Sequence, residues 1–326
     1  MQNTKEPRKV IVGTTLFSVF EEQRPYVSLE RRLEEISLRV KEMSEDAQSR
    51  YQRGIDLAVF PENALNPLTG ATSKKRSVLF TTEVRRALGE IARRERTWLV
   101  VCFNMREEND PETVFNASVL FDREGQVAGI YRKVYCLADK DGFTVEGGKQ
   151  PGQEIPVFET DFGKVAMMIC FDMGFDDLAE IYKQKGAEII LWSTMSPQTM
   201  VPRMYARRFG FHIVTSTPRS NASVIDPLGD VIAQTCFEGV ATAEIDLEYR
   251  IVHWQAELRD GKTLLDRFGT NVGFRYDANE DYGIFWSNDP NMPITEMLKM
   301  TGILTDAELR TLARETRKSL LEKIVT

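Results

Sequence analysis

Three residues of this 326-residue chain stand where a fold can deliver chemistry. Glu62 follows the apolar run IDLAVFP, Lys133 ends VAGIYRK and Cys170 ends VAMMIC. A thiol, with an ordinary pKa of about 8.5, must lose its proton before it attacks a carbonyl. A buried carboxylate can take that proton, and a buried ammonium can stabilise the oxyanion that develops. The backbone N–H of Phe171, next after the thiol, is a natural second donor to that oxyanion. Singly, each residue has a plainer reading. A cysteine ending an apolar run is ordinarily a small core residue, and a glutamate after Phe-Pro a turn or cap. A lysine beside an arginine is ordinarily a solvated hairpin position. What joins them is their shared place at strand ends, the edge where sites of layered α/β folds assemble.

The rest of the chain must supply those strands. KVIVGTTLF (9–17) reads as a strand. From Ser28 to Arg53 the residues Leu29, Leu33, Ile36, Val40, Met43, Ala47 and Tyr51 recur three and four apart, which predicts a helix capped by Ser28 and ended by Gly54. IDLAVF (55–60) is a buried strand, residues 82–96 a helix and WLVVCFNM (98–105) a strand. Residues 114–122 and 126–133 flank Arg123-Glu124-Gly125 as a hairpin. Then come a strand at 164–170, a helix at 176–186, a strand at 188–193, a helix near 200–210 and a strand at 212–218. SNASVIDP-LGD-VIAQT is a second hairpin, and 240–247 a last strand. Mixed βα and hairpin connections predict an α/β layered fold, without counting its sheets.

Residues 251–326 differ from the 1–250 domain in texture. Residues 253–293 are polar, aromatic and loop-rich, and Thr305-Asp306-Ala307-Glu308 is a capping box for a terminal helix. Leu309, Leu312, Ala313, Leu320 and Ile324 share one face of it, a docking surface for its own subunit or a neighbour's.

Composition excludes several classes. A net charge of −7 and a pI near 5.2 argue against a dedicated nucleic-acid binder. No apolar run approaches the roughly 18 residues of a membrane span, and MQNTKEPRKVIVGTT has no signal-peptide pattern, so the expected location is cytoplasmic. Cys102, Cys136, Cys170 and Cys236 form no CxxC pair and read as reduced thiols. The only histidines, His212 and His253, make no zinc motif. His212, in FHIV, reads as a core residue.

FPE around Glu62, YRK around Lys133 and ICFD around Cys170 resemble the three signature regions of the nitrilase, or carbon–nitrogen hydrolase, superfamily, in the same order. KQKGAEIILWSTMSP, SNASVIDPLGDVIAQT and VATAEIDL extend the resemblance over roughly residues 8–250. It implies a four-layer α-β-β-α sandwich of two mixed sheets plus a C-terminal extension, no metal or organic cofactor, and homodimers or larger assemblies. It also implies a Glu62–Lys133–Cys170 triad acting through a thioester. Family members often carry a further glutamate before a Pro-Gly turn; Glu146, ahead of Pro151-Gly152, matches it and would position the substrate or tune Lys133.

Asp172, two after the thiol, is similar to the amidase and carbamoylase branches, whereas nitrilases resemble Cys-Trp-Glu there. The implied substrate is a small amide or carbamoyl compound, with a nitrile as the alternative. Carbamoylases of N-carbamoyl-D-amino acids carry arginines where Met173 and Gly174 stand; Arg203, Arg207 or Arg208 are left as candidate carboxylate binders. Trp192, Ser193 and Met195, after the strand beside the nucleophile, are the expected pocket residues. Phe175-Asp176-Asp177 departs from the usual Phe-Pro-Glu. Two readings of other classes stand beside this one: a catalytically silent scaffold of the same fold, and a thiol protease pairing Cys170 with His212 or His253.

Overall fold

The structure, a computed structural model, describes residues 8–235 and 239–325. Cys236 lies outside them, as does the side chain of Ile324. The chain divides into two compact units, Val10–Ile245 and a second made of residues 246–326 with the N-terminal stretch up to Lys9.

The first unit holds two sheets. β1 (Lys9–Leu16), β2 (Leu57–Val59), β3 (Val78–Leu79), β4 (Trp98–Glu107), β5 (Asp110–Phe121) and β6 (Val127–Arg132) build one; β7 (Val157–Glu159), β8 (Lys164–Ile169), β9 (Ile189–Ser193), β10 (His212–Ser216), β11 (Ser223–Ile225) and β12 (Val231–Gln234) build the other. β13 (Gly239–Asp246) joins the first, whose order is β13-β1-β2-β4-β5-β6 with β3 on β4; the second runs β12-β11-β10-β9-β8-β7. Both are mixed, since β1, β2 and β4 run parallel, as do β8, β9 and β10, while hairpins supply antiparallel edges.

Period-two alternation gives each sheet two buried faces. Ile11, Ala58, Leu99, Val101 and Val119 pack with Ile36, Val40, Met43 and Ala47 of α1 (Leu29–Tyr51) and with Val84, Leu88 and Ile91 of α2 (Thr82–Glu95). Ala166, Met168, Ile190, Trp192 and Ile213 pack with Leu178 and Tyr182 of α3 (Asp176–Gln184) and Tyr205 and Ala206 of α4 (Met200–Phe209). The opposite faces meet each other: Thr14 Oγ1 donates to the Thr215 carbonyl (2.5 Å), Ser216 Oγ to that of Thr15 (2.9 Å) and Ser193 Oγ to that of Phe60 (2.8 Å). The result is an α-β-β-α sandwich.

Helix ends follow their sequences, with one correction. The Ser28 side chain accepts from the Arg31 N–H, as expected. The left-handed end of α1 is taken by Gln52 (φ 61°), two residues before Gly54, because the Gln52 N–H already reaches the Gln48 carbonyl. On α2, Gly89 lies against the turn between β5 and β6, where an added Cβ would come 2.2 Å from the Gly125 carbonyl oxygen. In a free helix Gly→Ala stabilises by about 1 kcal/mol. Here Gly89→Ala should instead destabilise by roughly 1–3 kcal/mol through overpacking, read as a lower urea midpoint.

The second unit is more ordered than its composition suggests. β14 (Arg250–His253), β15 (Val272–Asp277) and β16 (Tyr282–Ser287) form an antiparallel sheet in the order β14-β16-β15. With α5 (Lys262–Phe268) and α6 (Ile294–Thr301) they enclose Val252, Leu264, Phe285, Met297 and Leu298. The loop-rich reading of 253–293 is therefore corrected. Turn residues there are dense because the strands are short. α7 (Asp306–Val325) begins on the expected capping box, the Thr305 and Glu308 N–H groups each bonding the other's side chain. Its Leu309, Leu312, Ala313 and Leu320 line an apolar groove with Leu321. No helix of the described residues is long and apolar enough to cross a membrane.

Candidate functional site

The C-terminal ends of β2, β6, β8, β9 and β10 lie along one edge of the sandwich. β6 is antiparallel to β5 and β5 to β4, so Lys133 leaves its strand in the same direction as Glu62. Across the sheets, Ile169 pairs with Ser193 and Ser193 with Ser216, which aligns the ends of β8, β9 and β10.

Glu62 is 5 % exposed. Its Oε1 accepts from Asn116 Nδ2 (2.6 Å) and lies 3.7 Å from Lys133 Nζ, while Oε2 accepts from the Met195 N–H (3.1 Å). Lys133, 1 % exposed, donates to Glu146 Oε1 at 2.5 Å. Glu146 Oε2 accepts from Lys149 Nζ and Asn116 Nδ2, each at 3.3 Å. Two carboxylates thus share one buried ammonium, with Asn116 spanning both. Burial alone would depress the Lys133 ammonium, but Glu62 and Glu146 reverse this and hold it well above the ordinary lysine range. Burial likewise opposes ionisation of Glu146, yet Lys133 and Lys149 outweigh it and keep that carboxyl below its usual range.

Cys170 sits directly after β8 in a left-handed conformation (φ 46°) uncommon for a residue with a side chain. Two groups hold that turn. The Trp192 indole donates to the Cys170 carbonyl (3.0 Å), and Asp172 accepts from Tyr131 Oη (2.7 Å), Tyr135 N–H (2.8 Å) and Ile169 N–H (2.9 Å). Since Tyr131 and Tyr135 flank Lys133, Asp172 ties the thiol's turn to the lysine's strand. Burial pushes Asp172 up to about 6 against the pull of these donors. The Cys170 thiol is pushed up to about 11, first by burial and then by the Glu62 carboxylate; Lys133, the Met195 N–H and Thr194 pull the other way. The Phe171 N–H lies in the first turn of the short 3₁₀ segment Cys170–Gly174, where a helical N–H has no partner within the turn.

The chain matches the carbon–nitrogen hydrolase family over residues 25–252. It belongs to that family. It is a hydrolase of carbon–nitrogen bonds other than peptide bonds. Omega-amidase NIT2 of Danio rerio is 26% identical over 248 residues, covering 67% of this chain and 89% of that protein. Deaminated glutathione amidase of Yersinia enterocolitica is 30% identical over 145 residues, 42% of this chain and 50% of that protein. The crystal structure of Saccharomyces cerevisiae Nit3, a member of branch 10 of the nitrilase superfamily, superposes with a TM-score of 0.63 at 20% identity, covering 73% of this chain and 90% of Nit3.

Of the expected pocket residues in this hydrolase, two are buried. Trp192, 1 % exposed, packs on the helix side of its sheet, and Ser193 Oγ reaches between the sheets to the Phe60 carbonyl, so both lie behind the site. Met195 does reach it, through its backbone. Arg203 is tied to the Gly229 carbonyl and Arg208 to Asp176; Arg207 also has its own interaction. His212 does not pair with Cys170: it stands opposite Ile189 at the far end of β9, four strand residues, or about 13 Å, from the edge that carries the thiol. Asn116 went unread in the sequence. Its signal was a buried amide within the mostly apolar half of β5, residues 114–121.

Proposed function

We propose that the chain hydrolyses small amides through a thioester on Cys170. Glu62 takes the thiol proton as sulfur attacks the carbonyl carbon, and the oxyanion forms beside the Lys133 ammonium and the Phe171 N–H. Glu62 passes its proton to the departing amine as the carbon–nitrogen bond breaks, leaving the acyl group on sulfur. It then takes a proton from water, whose oxygen attacks the thioester; the acid leaves and the proton returns to sulfur. Glu146 acts as a positioning residue, holding Lys133 in place.

The observation that carries this reading is the buried cluster at the strand ends, where Glu62 lies 3.7 Å from Lys133 Nζ and accepts from the Met195 N–H, and where both charges act on the Cys170 thiol. An amide is favoured over a nitrile by the names of the two curated relatives, an omega-amidase and a deaminated glutathione amidase. Ammonia release from matched amides, carbamoyl compounds and nitriles tests the reading. Amides should be turned over fastest, and Cys170→Ala should abolish release. Faster acid formation from a nitrile than from its amide, or silence across the panel by a folded protein, would overturn it.

A further inference from the structure

Asn116 touches three members of the site at once. It is 1 % exposed, within the buried half of β5. Its carbonyl accepts from the Lys133 N–H (2.8 Å), and its Nδ2 donates to Glu62 Oε1 at 2.6 Å and to Glu146 Oε2 at 3.3 Å. A carboxamide nitrogen carries two hydrogens, so each carboxylate receives one. The Cys102 thiol, 3.7 Å from Oδ1, supplies a donor on the other side of the amide. Turning the amide over would set Oδ1 against two carboxylates, acceptor against acceptor, at a buried position. Asn116 is also among the donors that hold the Glu146 carboxyl below its usual range.

The two oxygens of Glu62 therefore have different surroundings. Oε1 faces the Asn116 amide and, at 3.7 Å, the Lys133 ammonium, whereas Oε2 accepts from the Met195 N–H at 3.1 Å. That N–H is among the groups that draw the Cys170 thiol toward ionisation, which puts Oε2 on the sulfur's side. The turn carrying Glu62 is held separately. Asn63, next in the chain and left-handed (φ 64°), accepts through Oδ1 from Asn104 Nδ2 (3.0 Å) and Asn66 Nδ2 (3.2 Å). With the backbone fixed, what remains free is rotation of the carboxylate, whose last torsion has only a broad preference of its own. We propose that Asn116 is a positioning residue that stops this rotation, so that Oε1 stays an acceptor throughout and Oε2 alone carries the proton. Oε2 takes it from sulfur as the carbon–sulfur bond forms and gives it to the amine as the carbon–nitrogen bond breaks. It then takes a proton from water as the carbon–oxygen bond forms and returns it to sulfur as the thioester opens. This rests on the acid–base work of Glu62 argued above.

Asn116→Leu removes both hydrogens while keeping a similar shape. On butanamide it should lower kcat about 50-fold and leave KM within about threefold, since a hydrogen bond to a charged group is worth roughly tenfold to a hundredfold. The acid limb of the kcat profile should move up by about one pH unit, because the lost donor favours the ionised carboxylates. The titratable groups around those carboxylates, Lys133, Lys149, Cys102, Cys136 and Cys170, all remain in the variant. Asn116→Ser keeps a hydroxyl donor and carries the same comparison where the leucine variant does not fold; it should lose only about tenfold. A fall in kcat with the acid limb unmoved would mean that the amide only fills the core, and a rise in KM alone that it binds substrate; either overturns the proposal. A second measurement needs no turnover. In protein labelled with heavy nitrogen at asparagine, the side-chain amide pair missing from the Asn116 variants should be protected from solvent exchange. Glu62→Gln should move one hydrogen of that pair and Glu146→Gln the other. If Glu62→Gln leaves both in place, Asn116 does not hold Glu62 and the proposal fails. If butanamide is not cleaved, the amide reading fails while these signals still decide the hold on Glu62.

Discussion

Glu62→Gln should lower amide turnover by about a thousandfold while making the Cys170 thiol easier to ionise. The first effect follows from removing a general base, worth about 10² to 10⁴ in rate. The second follows from the charges around sulfur. Burial and the Glu62 carboxylate both hold the thiol up, at about 11, and Lys133 pulls it down. Replacing the carboxylate by a neutral amide removes one upward push and leaves the ammonium in place. Iodoacetamide labelling of Cys170, followed by peptide mass between about pH 7 and 11, should therefore reach half-maximum at lower pH in the variant. Cys136 does not confuse the reading, since burial pushes it up to about 12. Opposite movement of turnover and ionisation separates this mechanism from a preformed thiolate, for which both would fall together. An unchanged or higher labelling midpoint, or turnover within tenfold of wild type, would sink it.

The same arrangement explains which parts of the site the sequence could convey. The placement of Glu62, Lys133 and Cys170 on one edge was legible because each follows a strand, and strands that run the same way in one sandwich end on one edge. The orientation of Trp192 and Ser193 was not legible, for a related reason. They also close a strand beside the nucleophile, but whether a strand residue faces helices or the opposing sheet depends on which sheet lies opposite. Trp192 turned to α3 and α4, where its indole still reaches the Cys170 carbonyl. Asp172 was read only as a branch marker, whereas it accepts three hydrogen bonds and positions both thiol and lysine. Those donors come from β6, β8 and the turn after Lys133, and their meeting is a property of the two-sheet packing. The α-β layering itself was legible, because the α1 and α2 periodicities are long and clean. The short strands of the second unit were not, because four to six residues between Asn, Asp and Gly turns give period-two alternation little room.

Lys133→Met tests the electrostatic balance directly, and its effect on stability should exceed that of any change in the surrounding loop. The wild-type ammonium is buried between Glu62 and Glu146, at 3.7 and 2.5 Å. Removing one member of a buried ion pair leaves charge without compensation and costs about 3–5 kcal/mol. Turnover should also fall by about 10² to 10³ through loss of the oxyanion partner. The pH dependence gives the assignment its sign. In the wild type Glu146 is held below its ordinary range, so its contribution is present above the unfolded carboxylate value of about 4.3 and is lost as pH falls through the lower folded value. In Lys133→Met the cation is gone and burial acts with less opposition, which raises the folded value. The variant should then be most deficient near neutral pH and regain stability as the solution is acidified and the carboxyl takes up a proton. Urea midpoints at about pH 8 and 5.5 measure this. Adding Glu146→Gln to the variant should recover part of the deficit at about pH 8 and little at acidic pH, since the buried carboxylate is what the lost lysine leaves uncompensated. A deficit that is equal at both pH values, or smaller than about 1 kcal/mol, would show that Lys133 does not hold Glu146 in the ionised state.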